Sequence, residues 1–331
     1  MKAIIPVAGA GTRLRPHTYT QPKPLIPVAG KTIISFIIDS LVEVGIRDFV
    51  FIIGYLGEKI ELYVKKQYPQ LNKQFVQQNH REGSAHAIWT AKEAIADADE
   101  VVIVFGDTII EVDWKKVIHS NTSCLGIKKV QDPREFGVVV LEEDGSVQAE
   151  IEKHNIPKSN QAMVGLYKIR EVSTLIEVID HMVTNKIQTH GEYQLTDALM
   201  SMIERGVQFT TVTVDNWFDC GKKEILLETN AMLLDKEGYA SPNLPLYDNS
   251  IIIHPVSIGA NCRITNSIVG PHVTIGNNTT IDYSIVKESI IGSYASIEEV
   301  VLQNSLVGND AAIKGLSQSL NIGDNTEIDF S

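Results

Sequence analysis

Cysteine is scarce: Cys124, Cys220 and Cys262 are the only three in 331 residues, far apart and without a CxxC pair. That excludes a disulfide framework or a cysteine zinc site and fits reduced thiols in a cytoplasmic protein. Basic residues are also in short supply, 29 Lys and Arg against 41 Asp and Glu, for a formal net charge of −12. So acidic a chain is ill suited to nucleic acid or an anionic membrane surface, both of which call for a basic face. No apolar run approaches the roughly 18–20 residues of a membrane span. The apolar start MKAIIPVAG is too short for a signal peptide, and Arg13 soon follows. His17, His80, His86 and His119 have no metal-ligand spacing, and no Ser/His/Asp arrangement emerges. What is present is ordinary for a globular protein, 44% hydrophobic and 21% charged residues, with length enough for two domains.

The chain has two textures. Up to about residue 235, short apolar runs alternate with helix-like segments. Strands are expected at Lys2–Val7, Phe49–Ile53 and Glu100–Phe105, and around 123–130 and 136–141. Helices are expected at Ile33–Val44, Glu58–Gln67 and Ser84–Ala96, with a further helix-like stretch at Ile225–Lys236. Such alternation predicts an α/β domain with a mixed, mostly parallel sheet covered on both faces. Ligands of such sheets sit beyond the carboxyl ends of the strands. Past the break SPNLP at 241–245, Ile-Gly or Val-Gly pairs recur at 258–259, 269–270, 275–276, 291–292, 307–308 and 322–323. Ile275, Ile291 and Val307 are spaced by 16, and Ile281, Ile297 and Ile313 each follow six residues later. This is the pattern of a parallel β-helix of hexapeptide repeats, with glycine and asparagine at the corners. The predicted domains are 1–236 and 245–331.

Five basic residues, Lys2, Arg13, Arg15, Lys23 and Lys31, precede the first acidic one, Asp39. They enclose GAGTRLRPHTYTQPKPLIPV, a cationic segment constrained by glycine and proline and suited to a polyanionic small molecule. A dinucleotide fingerprint needs glycine where Leu14 stands, and a P-loop ending at Gly30-Lys31-Thr32 needs one where Leu25 stands. The strand end Val7-Ala8 followed by Gly9-Ala10-Gly11-Thr12 leaves backbone N–H groups free to face phosphate oxygens. Arg13 can add a bidentate contact, and Lys23, between Pro22 and Pro24, a fixed point charge.

Asp107 in VVIVFGDT and Asp219 in WFDCG each follow an apolar run. Each alone reads equally as a turn or capping aspartate. Together they are two oxygen ligands from separate strand ends, as Mg²⁺ uses when phosphates and waters complete its octahedron. QQNHREGSAHA, at 77–87, reads as a polar loop leading into a helix capped near Gly83 or Ser84. Glu152-Lys153 reads as a surface ion pair.

Across G-x-G-T-R-L-R-P and K-P-x-x-P-V the sequence resembles the sugar-1-phosphate nucleotidylyltransferases. Over nearly its whole length it is similar to the long-form glucose-1-phosphate thymidylyltransferases, whose Rossmann-like domain carries a C-terminal left-handed β-helix. The resemblance implies transfer of a nucleotidyl group from a nucleoside triphosphate, dTTP favoured, to a hexose 1-phosphate, glucose 1-phosphate favoured, with Mg²⁺. It implies Val7, Ala8, Gly9, Ala10, Gly11 and Thr12 on the nucleotide, Arg13, Lys23 and Asp107 as catalytic groups, and Asp107 and Asp219 on the metal. Gln78 and Gly83 would contact the nucleotide base, with Ser84 also binding the nucleotide, and Gly137, Glu152, Lys153 and Val164 would contact the sugar phosphate. The family usually has proline where His154 stands and asparagine where Thr108 stands, so the hexose is left open. Guanylyl transfer to mannose 1-phosphate and uridylyl transfer to glucose 1-phosphate are the nearest alternatives. A non-catalytic subunit would be expected to have lost Arg13, Lys23 or an aspartate. An acyltransferase usually needs a histidine among its coils, and here His254 and His272 have no obvious partner. A homo-oligomer is expected.

Overall fold

The computed structural model describes residues 1–134, 136–142, 145–151 and 159–315. The chain divides into two compact units, Met1–Pro27 with Lys31–Leu226, and Val28–Gly30 with everything from Leu227 onward.

The first unit is built on a sheet of nine described strands. Lys2–Val7 lies between Asp48–Ile53 and Val101–Val104, both parallel to it. Ala3, Ile5 and Val7 enter one apolar layer with Ile34 and Ile38 of the helix Ile33–Glu43. Ile4 enters the other layer, with Val178 and Ile179 of the helix Val172–Thr184. Burial on both faces is why these strands read as unbroken apolar runs. Asn72–Gln77 extends the parallel half on Asp48–Ile53. Gln161–Ile169 runs antiparallel to Val101–Val104 and makes the sheet mixed. The α/β sheet expected from the sequence is therefore present.

Three details differ from the sequence expectation. The helix expected over Ser84–Ala96 is two helices, Ser84–Thr90 and Lys92–Ile95. Thr90 Oγ1 donates to the Ala87 carbonyl at 2.7 Å, a back-bond that favours a bend there. The strands Asn72–Gln77 and Gln161–Ile169 were not in the pattern, the first because it is a polar edge and the second because Gly165 interrupts it in a left-handed conformation. A separate two-stranded ribbon pairs Thr108–Glu111 with Asn216–Asp219, more than a hundred residues away.

The second unit contains three stacks of short parallel strands, four to a stack, forming a left-handed parallel β-helix. Inward residues Val256, Val273, Ile264, Ile281 and Ile297 make its core. Asn261 and Asn278, 17 residues apart, are joined side chain to side chain, whereas the Ser293 amide meets Asn309 Oδ1 16 residues on. Corners are taken in the left-handed region by Asn261, Asn266, Asn278 and Asn304, and equally by Tyr283, Glu288 and Tyr294. The repeating glycines serve a different purpose from the expected corner. A Cβ at Gly276 would stand 2.5 Å from Ser293 N, and one at Gly292 2.5 Å from Asn309 N, so glycine lets successive coils touch. The repeat at 322–323 lies outside the described residues. Among the described residues no helix is long and apolar enough to cross a membrane.

Candidate active site

The strand Lys2–Val7 ends at the carboxyl edge of the sheet, where the chain turns through Ala8-Gly9-Ala10-Gly11 into a 3-10 turn, Thr12–Leu14. Gly11 has φ 60°, and a Cβ on it would come within 2.9 Å of Thr18 Cγ2. Thr18, buried, donates to the Gly11 carbonyl at 2.8 Å and pins the loop. A Cβ on Gly9 would meet nothing within 4 Å. Val7, Ala8, Gly9, Gly11 and Thr12 line a cleft of about 480 Å³; Ala10 belongs to the loop but not to the lining.

The charged residues gather at the mouth of this loop. Lys23 begins the 3-10 turn Lys23–Leu25 and is buried. Its ammonium sits 2.9 Å from Asp107 Oδ2 and 3.5 Å from Asp219 Oδ1. Arg13, half exposed, lies 3.7 Å from Asp219 Oδ2. The ribbon explains the convergence, since Asp219 is paired with Thr108, next to Asp107. Thr108 Oγ1 donates to the Phe218 carbonyl at 3.2 Å and ties the two strands where they carry the acids. Gly106 permits the approach of Asp107 to the loop, because a Cβ there would stand 2.1 Å from Val7 Cγ1.

At the other end of the cleft lie Gln78, Gly83 and Ser84. Gln78 is buried at the end of Asn72–Gln77, its backbone amide bonded to the Ile53 carbonyl. Gly83 caps the helix Ser84–Thr90 with φ 112°, and a Cβ on it would collide with Tyr193 O at 2.4 Å. Ser84 Oγ accepts from the Leu195 amide at 2.8 Å, joining the starts of two helices. Behind Gln78 is His86, whose Nδ1 is 3.1 Å from Gln78 Nε2. Burial holds the His86 imidazole below its ordinary pKa, partly offset by the Glu82 carboxylate. Burial also raises the Cys124 and Cys262 thiols, which keeps them protonated.

A second cleft of about 290 Å³ is lined by Gly137 and Val164, as the sequence suggested, and by Phe136, Thr108 and Trp217. The Phe136 and Trp217 rings meet edge-on at 4.7 Å. Arg13, Ser84, Phe105, Asp107 and Glu192 line both clefts, so the two are continuous and Asp107 stands at the seam. Glu152 and Lys153 lie outside the described residues. The sequence reading missed His86, Glu192, Phe136 and Trp217 as site groups; Glu82 precedes the helix Ser84–Thr90, so no helical spacing marks the first. His272, given no partner above, has one: its Nε2 is 3.0 Å from Asp235 Oδ1.

Among the described residues no group of three or more His, Cys, Asp or Glu could hold a metal ion. The residues nevertheless fit a hard divalent cation bound with its substrate. Asp107 and Asp219 already converge on one cation, the Lys23 ammonium, and two carboxylates plus phosphates and water are a sufficient oxygen set for Mg²⁺.

A glycine loop at the carboxyl edge of a parallel sheet, facing two cations and two carboxylates, suits a phosphorylated ligand and defines the class broadly. The chain belongs to the nucleotidyl transferase family, whose sequence profile matches residues 2–236. Nucleotidyltransferases of this family generally use a divalent metal. It is 29% identical to the low-salt glycan biosynthesis nucleotidyltransferase Agl11 of Haloferax volcanii, over 99% of each chain. It is 28% identical to a glucose-1-phosphate thymidylyltransferase of Streptomyces antibioticus, over 100% of this chain and 99% of the other. It is 36% identical to the bifunctional protein GlmU of Methanocaldococcus jannaschii, over 71% of this chain and 55% of that one. Among solved structures, a putative glucose-1-phosphate thymidylyltransferase from Bacillus anthracis in complex with sucrose superposes with a TM-score of 0.61. That match has 25% identity and covers 72% of this chain and 96% of the other.

Proposed function

We propose that the protein is a sugar-1-phosphate nucleotidylyltransferase, with dTTP and glucose 1-phosphate as the favoured pair. The observation that carries the reading is the meeting of Arg13, Lys23, Asp107 and Asp219 at the junction of two continuous clefts. One cleft has the glycine loop and Gln78 for a nucleotide, and the other has Gly137, Val164 and an aromatic pair for a sugar. Relatives named as thymidylyltransferases and as a nucleotidyltransferase of glycan biosynthesis support it.

The reaction is a direct displacement. An oxygen of the sugar 1-phosphate attacks the α-phosphorus, the bond from that phosphorus to the β-phosphate bridging oxygen breaks, and pyrophosphate leaves with the electron pair. No protein nucleophile is needed, so the residues act by positioning and by opposing charge. Arg13 would hold the departing pyrophosphate, and Lys23 the charge that develops around the α-phosphorus. The Gly9–Thr12 backbone would orient the triphosphate for in-line attack. By the family resemblance Lys153 would neutralise the attacking phosphate and Glu152 accept from sugar hydroxyls. Asp107 and Asp219 would hold Mg²⁺, which when bound neutralises the two phosphates that must approach each other.

We propose domain limits of 1–236 and 245–331, a cytoplasmic setting and a homo-oligomer. The test is a matrix of nucleoside triphosphates against sugar 1-phosphates with Mg²⁺, read by pyrophosphate release, with acetyl-CoA as a control donor. Highest turnover for dTTP with glucose 1-phosphate is expected. No release with any pair overturns the reading.

A further inference from the structure

Gln78 is one of few buried polar residues in the first unit, and its amide is oriented by its surroundings. One amide atom lies 3.4 Å from the Gly83 carbonyl oxygen, which can only accept, so that atom is the nitrogen, Nε2. Nε2 is also 3.1 Å from His86 Nδ1. A nitrogen facing a nitrogen forms a hydrogen bond only if one accepts, and Nε2 is a donor; His86 Nδ1 is therefore bare and its proton sits on Nε2. The ring's own N–H is then left for the His80 backbone, with which His86 is hydrogen-bonded, while Glu82 Oε2 lies 3.5 Å from His86 Nε2 and acts through its charge. The ring has little freedom to turn, being stacked against Trp89 at 5.6 Å and Tyr193 at 6.1 Å. The His80 backbone, His86 and Gln78 thus form a chain of contacts in which the ring presents a bare nitrogen to the glutamine amide. The remaining end of the amide, Oε1, is left for the cleft that Gln78 lines.

We propose that His86 is a positioning residue that, at 3.1 Å and together with the longer contact to the Gly83 carbonyl, locks the Gln78 amide as an acceptor and so selects the class of nucleobase. The proposal rests on the reading of Gln78 and Gly83 as base contacts. An acceptor beside a backbone N–H donor complements a ring N–H beside a carbonyl, the edge offered by thymine, uracil and guanine. Cytosine and adenine present the reverse, a ring acceptor beside an amino group. A glutamine free to turn can still give the ring acceptor of the wrong base one hydrogen bond through Nε2; a locked one meets it acceptor to acceptor, and the backbone N–H faces the amino group in either case.

The experiment compares kcat/KM for dTTP and dCTP in the full chain, with thermal unfolding as the fold control. His86→Phe keeps a flat ring against Trp89 and Tyr193 but has no acceptor. Its dTTP-to-dCTP ratio is expected to fall about tenfold, the worth of one buried hydrogen bond, mainly by a gain with dCTP. His86→Gln, which returns a carbonyl oxygen, is expected to restore the ratio to within about threefold of the native value. A folded His86→Phe with an unchanged ratio overturns the lock. If that variant does not fold, His86→Leu, which also lacks the acceptor, serves instead, with the same fall expected and an unchanged ratio again overturning the lock. Native protein that fails to distinguish dTTP from dCTP, or turns over neither, removes the base-contact reading itself. A discriminating native protein and an equally discriminating variant remove only the role of His86.

Discussion

At the scale of single residues, the site depends on small side chains as much as on charged ones. Gly106 has its Cβ position 2.1 Å from Val7 Cγ1, so Gly106→Ala must push Asp107 and the loop apart. We expect a loss of about 1–3 kcal/mol in denaturant unfolding, the usual cost of overpacking, together with impaired turnover. Asp107→Asn should stay folded and lose nearly all metal-dependent pyrophosphate release; near-normal release would remove Asp107 from the metal. Arg13→Ala is expected to lower kcat strongly, since the charge it faces grows in the transition state. A rise in KM alone would make Arg13 a ground-state binder. Arg13, Lys23 and Asp107 could be picked out of the sequence because their charges stand in constrained, glycine- or proline-flanked contexts. His86 could not, because its significance lies in a hydrogen bond to a residue in a different element.

At the scale of elements, the strands buried on both faces were legible and the others were not. Lys2–Val7 and Val101–Val104 are continuous apolar runs, and the sequence alone marks them. Asn72–Gln77 alternates weakly at a sheet edge, and the pairing of Thr108–Glu111 with Asn216–Asp219 is a contact between distant segments that no local pattern encodes. That ribbon is what brings the second aspartate to the first. The loop after Lys2–Val7 is held from behind by Thr18, and Thr18→Val keeps the shape while deleting the bond to the Gly11 carbonyl. A stability loss of about 1 kcal/mol is expected, with a clear rise in KM for the nucleotide as the loop loosens. Steady-state kinetics with the sugar phosphate saturating would reveal it; an unchanged KM would mean the loop is held by its own glycine geometry.

At the scale of the whole chain, the repeat was visible while its internal economy was not. Ile-Gly spacing gave the β-helix, yet the glycines turned out to be points of contact between coils and many corners are taken by asparagine, tyrosine or glutamate. Within the second unit Asn230, fully buried, accepts from the Ala29 amide at 2.9 Å and Thr274 Oγ1 at 2.6 Å and donates to the His272 carbonyl at 3.1 Å. Asn230→Ala would strand three polar groups, a loss of about 3 kcal/mol or more on unfolding. Calorimetry should register it as a lowered transition for this unit.

The stacking of coils at Gly276 also makes the second unit a chain of nearest neighbours, in which free energy accumulates coil by coil rather than through one shared centre. Such a stack can fray from an end or part at a fault. Gly276→Ala would introduce one, with the new methyl 2.5 Å from Ser293 N. Amide exchange should then quicken first at this junction, at Asn277 and Ser293, while Ile264 and Ile297 on either side stay protected. Uniform loss of protection throughout would mean that the coils melt together.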